Sequence, residues 1–218
     1  MQCHSRRFYR AARASIAGAM DAPRIVRHRV FRYASFLAPA EVDALRERVF
    51  ALEAAFVPSF TSDHDDDYRR SFVLDPPADL QRTMVAKVRA LMPEVLRGLG
   101  VTFPVGVVEC QVTANTDGSY FRLHTDAGDN ETFKRELTYV YYFNRVPLGF
   151  SGGELRVYDD EVHDGKLRRR DSFQTIGPEH NSIVFFHARV MHEVTAVSVP
   201  SREFRDSRFT VNGWVQRS

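Results

Sequence analysis

From about residue 102 to its end the chain is a succession of short β-rich runs. They read "GVVECQVTA", "SYFRLHTD", "RELTYVYYFN", "GGELRVYD", "SFQTIG", "NSIVFFH", "HEVTAVSV" and "SRFTVNGWVQ", with clusters of Gly, Pro, Asn and Asp between them. Many short strands at this spacing point to a sandwich or barrel of the jelly-roll sort. Ahead of them, "RIVRHRVFRYASF" reads as an early strand. "LAPAEVDALRERVFALEAAF" then reads as a helix, with Pro39 in its first turn and Val42, Leu45, Val49, Leu52 and Phe56 on one stripe. A second helix is expected over about 78–92, along Leu80, Met84, the stem of Lys87, Val88 and Leu91. Pro93 should interrupt it, and a short turn should carry the chain to Gly98 and Gly100. The expected fold class is therefore mainly β, a jelly roll buttressed by N-terminal α-helices. Residues 1–22 are read as an N-terminal extension and 23–218 as a single domain, with helical support over about 36–100 and the β core over about 102–218.

Charge and composition remove several function classes. The formal net charge is +2 over 218 residues, which argues against a dominant nucleic-acid-binding surface. No apolar run approaches the ~20 residues of a membrane span. Cys3 and Cys110 stand far apart without metal-type spacing, so a disulfide scaffold is not expected and a reducing, cytoplasmic compartment is. The opening "MQCHSRRFYRAARASIAGAM" is Arg-rich and acid-free, as organellar presequences are; the plainer reading is a disordered extension, with Met20 as an alternative start.

The chemistry concentrates in "GSYFRLHTDAGD". His124 and Asp126 lie two apart at the end of a predicted strand, which puts an imidazole and a carboxylate on one face. Alone this is a weak pattern, and His64-Asp65-Asp66 repeats it inside an acidic loop, where a solvated turn is the simpler reading. Asp63, Asp65 and Asp67 alternate there, but the Gly and terminal Glu of a calcium loop are missing. Around His124 the context is richer, because His192 in "VMHEV" offers a second imidazole. Two imidazoles and one carboxylate on a single face are what a ferrous site for oxygen chemistry needs, with three positions left open. If 2-oxoglutarate is the co-substrate, its far carboxylate needs a buried cation, and the arginine fork suits a carboxylate best. Arg202 and Arg208 follow His192. Arg202 sits in a loop by composition, whereas alternation in "RFTVNGW" sets Arg208, Thr210, Asn212 and Trp214 on one side and Phe209, Val211 and Val215 on the other. Arg208 is the choice. In "RELTYVYYFN", Thr138, Val140 and Tyr142 share a face, and Tyr142 can offer a phenolic hydrogen bond to the same carboxylate.

Taken in order, "GSYFRLHTD", "YYFN", "SGGELRVY", "HEV" and "SRFTVNGW" resemble the iron(II)/2-oxoglutarate dioxygenases of the prolyl 4-hydroxylase type, including bacterial relatives of the oxygen-sensing prolyl hydroxylases. The similarity runs from about residue 105 to the C-terminus. The resemblance implies a double-stranded β-helix, with His124, Asp126 and His192 as iron ligands and Arg208, Tyr142 and Thr210 as co-substrate residues. Gly152 and Gly153 match the family's turn into the following strand, and Glu154 reads as structural. The implied cofactor is Fe(II), with 2-oxoglutarate and O2 as co-substrates and ascorbate as a reductant. Two departures stand out: the gap from His192 to Arg208 is long, leaving Arg202 in reserve, and Asn115 stands where many relatives carry tyrosine. Because Asp126 is present, hydroxylation is implied rather than halogenation, in which a small residue replaces the carboxylate.

The implied substrate is a prolyl residue in a peptide or protein, or a small amino-acid-like molecule. The acidic loop 61–70, ending in Arg69 and Arg70, is a candidate cover for the site. Arg122 and Arg156 face either an acidic substrate group or solvent. Two other classes stand beside the hydroxylase: a non-catalytic cupin-like metal-binding sensor, and an oxidative demethylase of alkylated nucleic-acid bases, which would need a basic, aromatic groove.

Overall fold

A computed structural model describes residues 23–59, 68–128 and 132–218. The expected N-terminal extension, the second His-x-Asp copy and most of the candidate cover loop lie outside these residues. Two α-helices occur among the described residues, α1 (Pro39–Phe50) and α2 (Ala78–Leu99); all other long elements are strands. In the first half these are β1 (Arg24–Val26), β2 (Phe31–Ala34), β3 (Val57–Pro58), β4 (Arg69–Arg70) and β5 (Phe72–Leu74). Next come β6 (Val105–Val108), β7 (Gln111–Asn115), β8 (Tyr120–His124), β9 (Arg135–Tyr142), β10 (Ser151–Gly152) and β11 (Leu155–His163). The last are β12 (Lys166–Ile176), β13 (Ser182–His187), β14 (His192–Val194), β15 (Val197–Ser198) and β16 (Arg208–Arg217). No described helix is long and apolar enough to cross a membrane.

The strands form an eight-stranded major sheet in the order β2-β13-β9-β16-β7-β5-β3, with β6 on β16, and a six-stranded minor sheet in the order β1-β11-β14-β8-β4, with β12 on β11. Strand β9 shows how alternation builds the two-sided major sheet. Leu137, Tyr139, Tyr141 and Phe143 enter the large core, where Met84, Val88, Met92 and Val95 of α2 also sit. Val140 and Tyr142 point the other way, to a second cluster with Leu155 and Val157 of β11. The helices thus cover the outer face of the major sheet, and the inner face looks toward the minor sheet. Lys87 of α2 pairs with Glu41 of α1 at 2.9 Å, and Arg48 of α1 with Asp79 of α2 at 2.9 Å, joining the two helices at their exposed sides.

Three sequence expectations change. First, "RIVRHRVFRYASF" is two strands serving different sheets: β1 pairs with β11 and β2 with β13. Second, α2 runs unbroken through Pro93 to Leu99. A proline inside a helix costs about 3 kcal/mol, but Val95 and Leu99 beyond it are buried in the core, at about 1.5–3 kcal/mol each. The burial outweighs the lost bond. Third, α1 stops at Phe50, and Leu52 and Phe56 pack on the core from the short 3-10 turn that follows.

Candidate active site

Antiparallel pairing of β8 and β14 sets His192 directly opposite His124, with ring centroids 4.1 Å apart. Each Nδ1 bonds the main-chain carbonyl two residues earlier, His124 to Arg122 at 2.7 Å and His192 to Val190 at 2.9 Å. A carbonyl can only accept, so both rings carry their proton on Nδ1 and keep the Nε2 lone pair free. Asp126 lies just past β8. Its backbone N–H and that of Ala127 both donate to the Ala188 carbonyl, at 2.9 and 3.1 Å, pinning this turn to the one between β13 and β14. Its Oδ2 accepts a 2.6 Å hydrogen bond from Thr138 Oγ1 of β9 and lies 3.3 Å from His192 Nε2; its Oδ1 lies 3.6 Å from His124 Nε2.

The three groups offer one ligand atom each, all within 4.8 Å of one another. Two imidazole lone pairs facing a carboxylate are acceptors facing an acceptor, an arrangement that a metal cation between them completes. Protonation of His124 does not supply one: burial and the neighbouring His192 push its pKa down to about 3. Burial pushes Asp126 up, yet His192, His124 and the Thr138 hydroxyl together hold it well below the usual carboxylate range. Neutral imidazole and ionised carboxylate are the forms that bind a metal ion, and this donor set suits ferrous iron. Phe121 stacks on His124 at 3.5 Å between centroids, and Phe186 sits edge-on to His192 at 4.7 Å, so the rings have apolar flanks.

The cavity over this cluster runs along the inner face of the major sheet, past Thr138 and Val140 of β9, Gln111, Thr113 and Asn115 of β7, and Arg208, Asn212 and Trp214 of β16. Arg208 is 2% exposed and is paired with no carboxylate among the described residues. Its Nε donates to the Gly153 carbonyl at 2.8 Å. Gly153 has φ +71°, and a Cβ there would lie 2.5 Å from Arg208 Cδ, so this position has to be glycine for the arginine stem to pass. Burial lowers the Arg208 pKa, while Tyr142 and Glu154 favour the charged form. At the Arg208 end, the buried Tyr142 and Thr210 hydroxyls have no hydrogen-bond partner by geometry among the described residues, and farther along the same strand neither does Trp214 Nε1. A buried cation without a counter-ion, beside unpartnered polar atoms, is costly unless an anionic ligand completes it. The donor set and this pocket therefore both fit a ferrous ion with a carboxylate-bearing co-substrate.

The expected residues fall out as follows. His124, Asp126 and His192 converge. Arg208 lines the cavity, while Tyr142 and Thr210 lie fully buried behind its wall, Tyr142 with the Arg208 guanidinium 5.1 Å from its ring centre. Arg202 does not belong: its side chain is 84% exposed and faces Asp117 at 3.9 Å, so the reserve is set aside. Asn115 is buried on the cavity wall with its amide 3.4 Å from the Arg208 carbonyl. Arg156 pairs with Glu193 at 3.1 Å, and Arg122 is exposed. Glu154 accepts from Thr195 Oγ1 at 2.5 Å. Sequence reasoning puts Thr138 on the right face without its role of holding Asp126. Arg69, expected only as the end of a candidate cover loop, lines the cavity from β4, a strand of two residues that carries no periodic signal.

Comparison with known proteins agrees with this geometry. Residues 110–216 match the family model of the 2OG-Fe(II) oxygenase superfamily. An uncharacterized PKHD-type hydroxylase of Synechocystis is 42% identical over 187 residues, 84% of this chain; the chain spans 61% of that relative's length. A Pseudomonas putida prolyl-4-hydroxylase shares the fold with a TM-score of 0.63 at 23% identity, over 88% of this chain and 94% of that one. A Trichoplax adhaerens prolyl hydroxylase, solved with a hypoxia inducible factor peptide fragment, gives a TM-score of 0.62 at 16% identity, over 86% of this chain and 83% of that one. Residues 110–216 are thus a domain of the 2OG-Fe(II) oxygenase superfamily, and across 84% of its length the chain is similar to a PKHD-type hydroxylase.

Proposed function

We propose that this chain is an Fe(II)- and 2-oxoglutarate-dependent hydroxylase of an unactivated C–H bond in a prolyl or other amino-acid-like substrate, releasing succinate and CO2. The observation that carries the reading is one cavity holding both a two-histidine, one-carboxylate cluster and a buried arginine without a counter-ion. The two facing sheets are read as a double-stranded β-helix, and residues 23–218 as one dioxygenase domain. His124, Asp126 and His192 are assigned as the iron ligands. Arg208 is assigned to the far carboxylate of 2-oxoglutarate, and the Tyr142 and Thr210 hydroxyls, without hydrogen-bond partners by geometry among the described residues, are assigned to the same end. When bound, ferrous iron with 2-oxoglutarate and O2 supplies the oxidising power, with ascorbate as a supporting reductant.

The chain's own residues set the conditions. The Arg122 and Val190 carbonyls fix the imidazole tautomers, and Thr138 fixes the carboxylate. Phe121, Phe186, Val140 and Leu155 give the reacting end apolar walls that limit water. A prolyl substrate, whether free, chain-terminal or within a peptide, is supported by the structural likeness to prolyl hydroxylases of P. putida and T. adhaerens, the second solved with a peptide. A metal-sensing module without turnover would leave Arg208 and its unpartnered neighbours with no ligand. The test is succinate release in air with Fe(II) and 2-oxoglutarate across prolyl peptides and amino-acid pools, wild type beside His124→Ala. Release by wild type alone is expected. Equal silence of both proteins, uncoupled turnover included, would overturn the proposal.

A further inference from the structure

The cavity holds a second arginine, and the co-substrate gives it nothing to do. A diacid such as 2-oxoglutarate has two carboxyl ends; on the proposed reading one goes to the metal and the other to Arg208. Arg69 remains. It lines the same cavity, on β4, which pairs with the His124-bearing strand β8 so that Arg69 lies opposite Phe121. Its guanidinium carbon sits 4.8 Å from the centre of the Phe121 ring, whose own centre lies 3.5 Å from that of His124. Arg69, Phe121 and His124 are therefore linked by contact at the metal end. Only Nε is occupied, donating to Ser71 Oγ at 3.0 Å, and the terminal nitrogens have no acceptor among the described residues. Asp126 is near enough for its charge to act on Arg69, yet the two form no ion pair. A tethered Nε with free terminal N–H groups is a fork held ready for a planar anion.

We propose that Arg69 binds a carboxylate of the primary substrate beside the reacting C–H bond. This rests on the oxygenase reading and narrows it: the substrate class is an amino acid or chain-terminal residue with a free carboxylate, rather than an internal residue of a peptide. The Phe121 ring supports the guanidinium by a cation–π contact. In Arg69→Gln, Ser71 Oγ keeps Ser59 Oγ at 2.8 Å, so removing the guanidinium strands no buried hydroxyl there.

The test uses protein loaded anaerobically with Mn(II) and 2-oxoglutarate, titrated by calorimetry with a panel of N-acetyl-L-amino acids, N-acetyl-L-proline included, and their carboxamides. At least one acid should bind tenfold or more tighter than its amide to wild type. That preference should fall below twofold in Arg69→Gln and survive in part in Arg69→Lys, while affinities for Mn(II) and 2-oxoglutarate stay within twofold. The proposal is overturned if no acid outbinds its amide, if Arg69→Gln retains the preference, or if Arg69→Gln weakens 2-oxoglutarate as Arg208→Gln does. Failure of wild type to take up Mn(II) and 2-oxoglutarate at all would instead sink the oxygenase reading itself, and it is read in the loading step before any acid is added.

Discussion

Gly153→Ala separates the fold's need for glycine from the site's need for Arg208. Two penalties act at this position. The first is conformational: at φ +71° an L-residue with a Cβ is strained by about 1–2 kcal/mol. The second is steric, since the new methyl would lie 2.5 Å from Arg208 Cδ and 2.9 Å from a Val197 methyl. The arginine stem has little room to yield, being 2% exposed and tied through Nε to the carbonyl of residue 153 itself. Relief of the contact therefore moves the guanidinium by roughly 1 Å, and a shift of that size in a positioning group costs on the order of 10–100-fold. Gly165→Ala is the matched control: it has the same φ of +71° with nothing within 4 Å of its Cβ, so it carries the backbone penalty alone. Thermal melts should show Gly165→Ala lowered by about 2–8 °C, from 2–4 °C per kcal/mol for a chain of this size, and Gly153→Ala lowered further. Calorimetry of 2-oxoglutarate into Mn(II)-loaded protein should show the 10–100-fold loss for Gly153→Ala only, with Mn(II) affinity kept by both. If Gly153→Ala melts early but binds 2-oxoglutarate like wild type, Arg208 is not the anchor and the reasoning fails.

Thr138→Val removes the 2.6 Å hydrogen bond to Asp126 Oδ2 while keeping the side-chain shape, and should weaken Mn(II) or Fe(II) binding about 10–100-fold in metal titrations. Arg208→Gln should raise the apparent Kd for 2-oxoglutarate by two orders of magnitude or so, about 3 kcal/mol for charge-assisted bonds. Arg202→Ala, at an 84% exposed side chain, should leave it unchanged, and the opposite ranking would show the wrong arginine was chosen. Burial pushes the Cys110 thiol up to about 11 from 9.0, so alkylation by iodoacetamide at pH 8 should run about 100-fold slower than for unfolded protein. The sign for stability follows: the folded thiol ionises later than the unfolded one, so its contribution is complete below pH 9.0 and is lost as pH rises through about 11. A melting temperature that rises over that interval in wild type relative to Cys110→Ser would contradict it.

What the sequence made legible was whatever one face of one element decides. Alternation along β9 and β16 sorted Tyr142, Arg208, Asn212 and Trp214 from the core residues beside them, because each strand has one face in the large core and one toward the cavity. The His-x-Asp became informative only with a second imidazole downstream, and no spacing rule gives the register that sets His192 opposite His124. Elements without a buried face were hard to read. β12 is exposed along nearly its whole length, so no hydrophobic alternation marks it, and the β11–β12 hairpin was anticipated only at its two ends. Asp164 and Gly165, both at positive φ, form its turn, and that local signal lay in plain view. The continuation of α2 through Pro93 depended on tertiary burial of Val95 and Leu99, which outweighs a local preference.

The placement of the site divides its work between the sheets. Both imidazoles come from adjacent minor-sheet strands, tied by strand pairing and by carbonyls two residues away, so their relation is set by local geometry. Arg208 belongs to the major sheet, and its side chain is tied to the carbonyl of Gly153, in the short connection between β10 and β11. Asp126 bridges them, leaving the end of β8 and taking its hydrogen bond from Thr138 on the major sheet. On the proposed assignment, the separation of metal and anion anchor is then fixed by the packing of one sheet on the other, and Thr138 and Gly153 are the two points that hold it. A substitution that loosens sheet packing without replacing a metal-binding group or Arg208, such as Leu155→Ala at the fully buried start of β11 on the cavity wall, should cost 2–5 kcal/mol of stability. It should also weaken 2-oxoglutarate binding more than metal binding, since the three metal ligands are also locked by hydrogen bonds that do not involve Leu155. Equal losses of both in paired titrations would show that the minor-sheet cluster depends on the same packing, and the division of labour would be wrong.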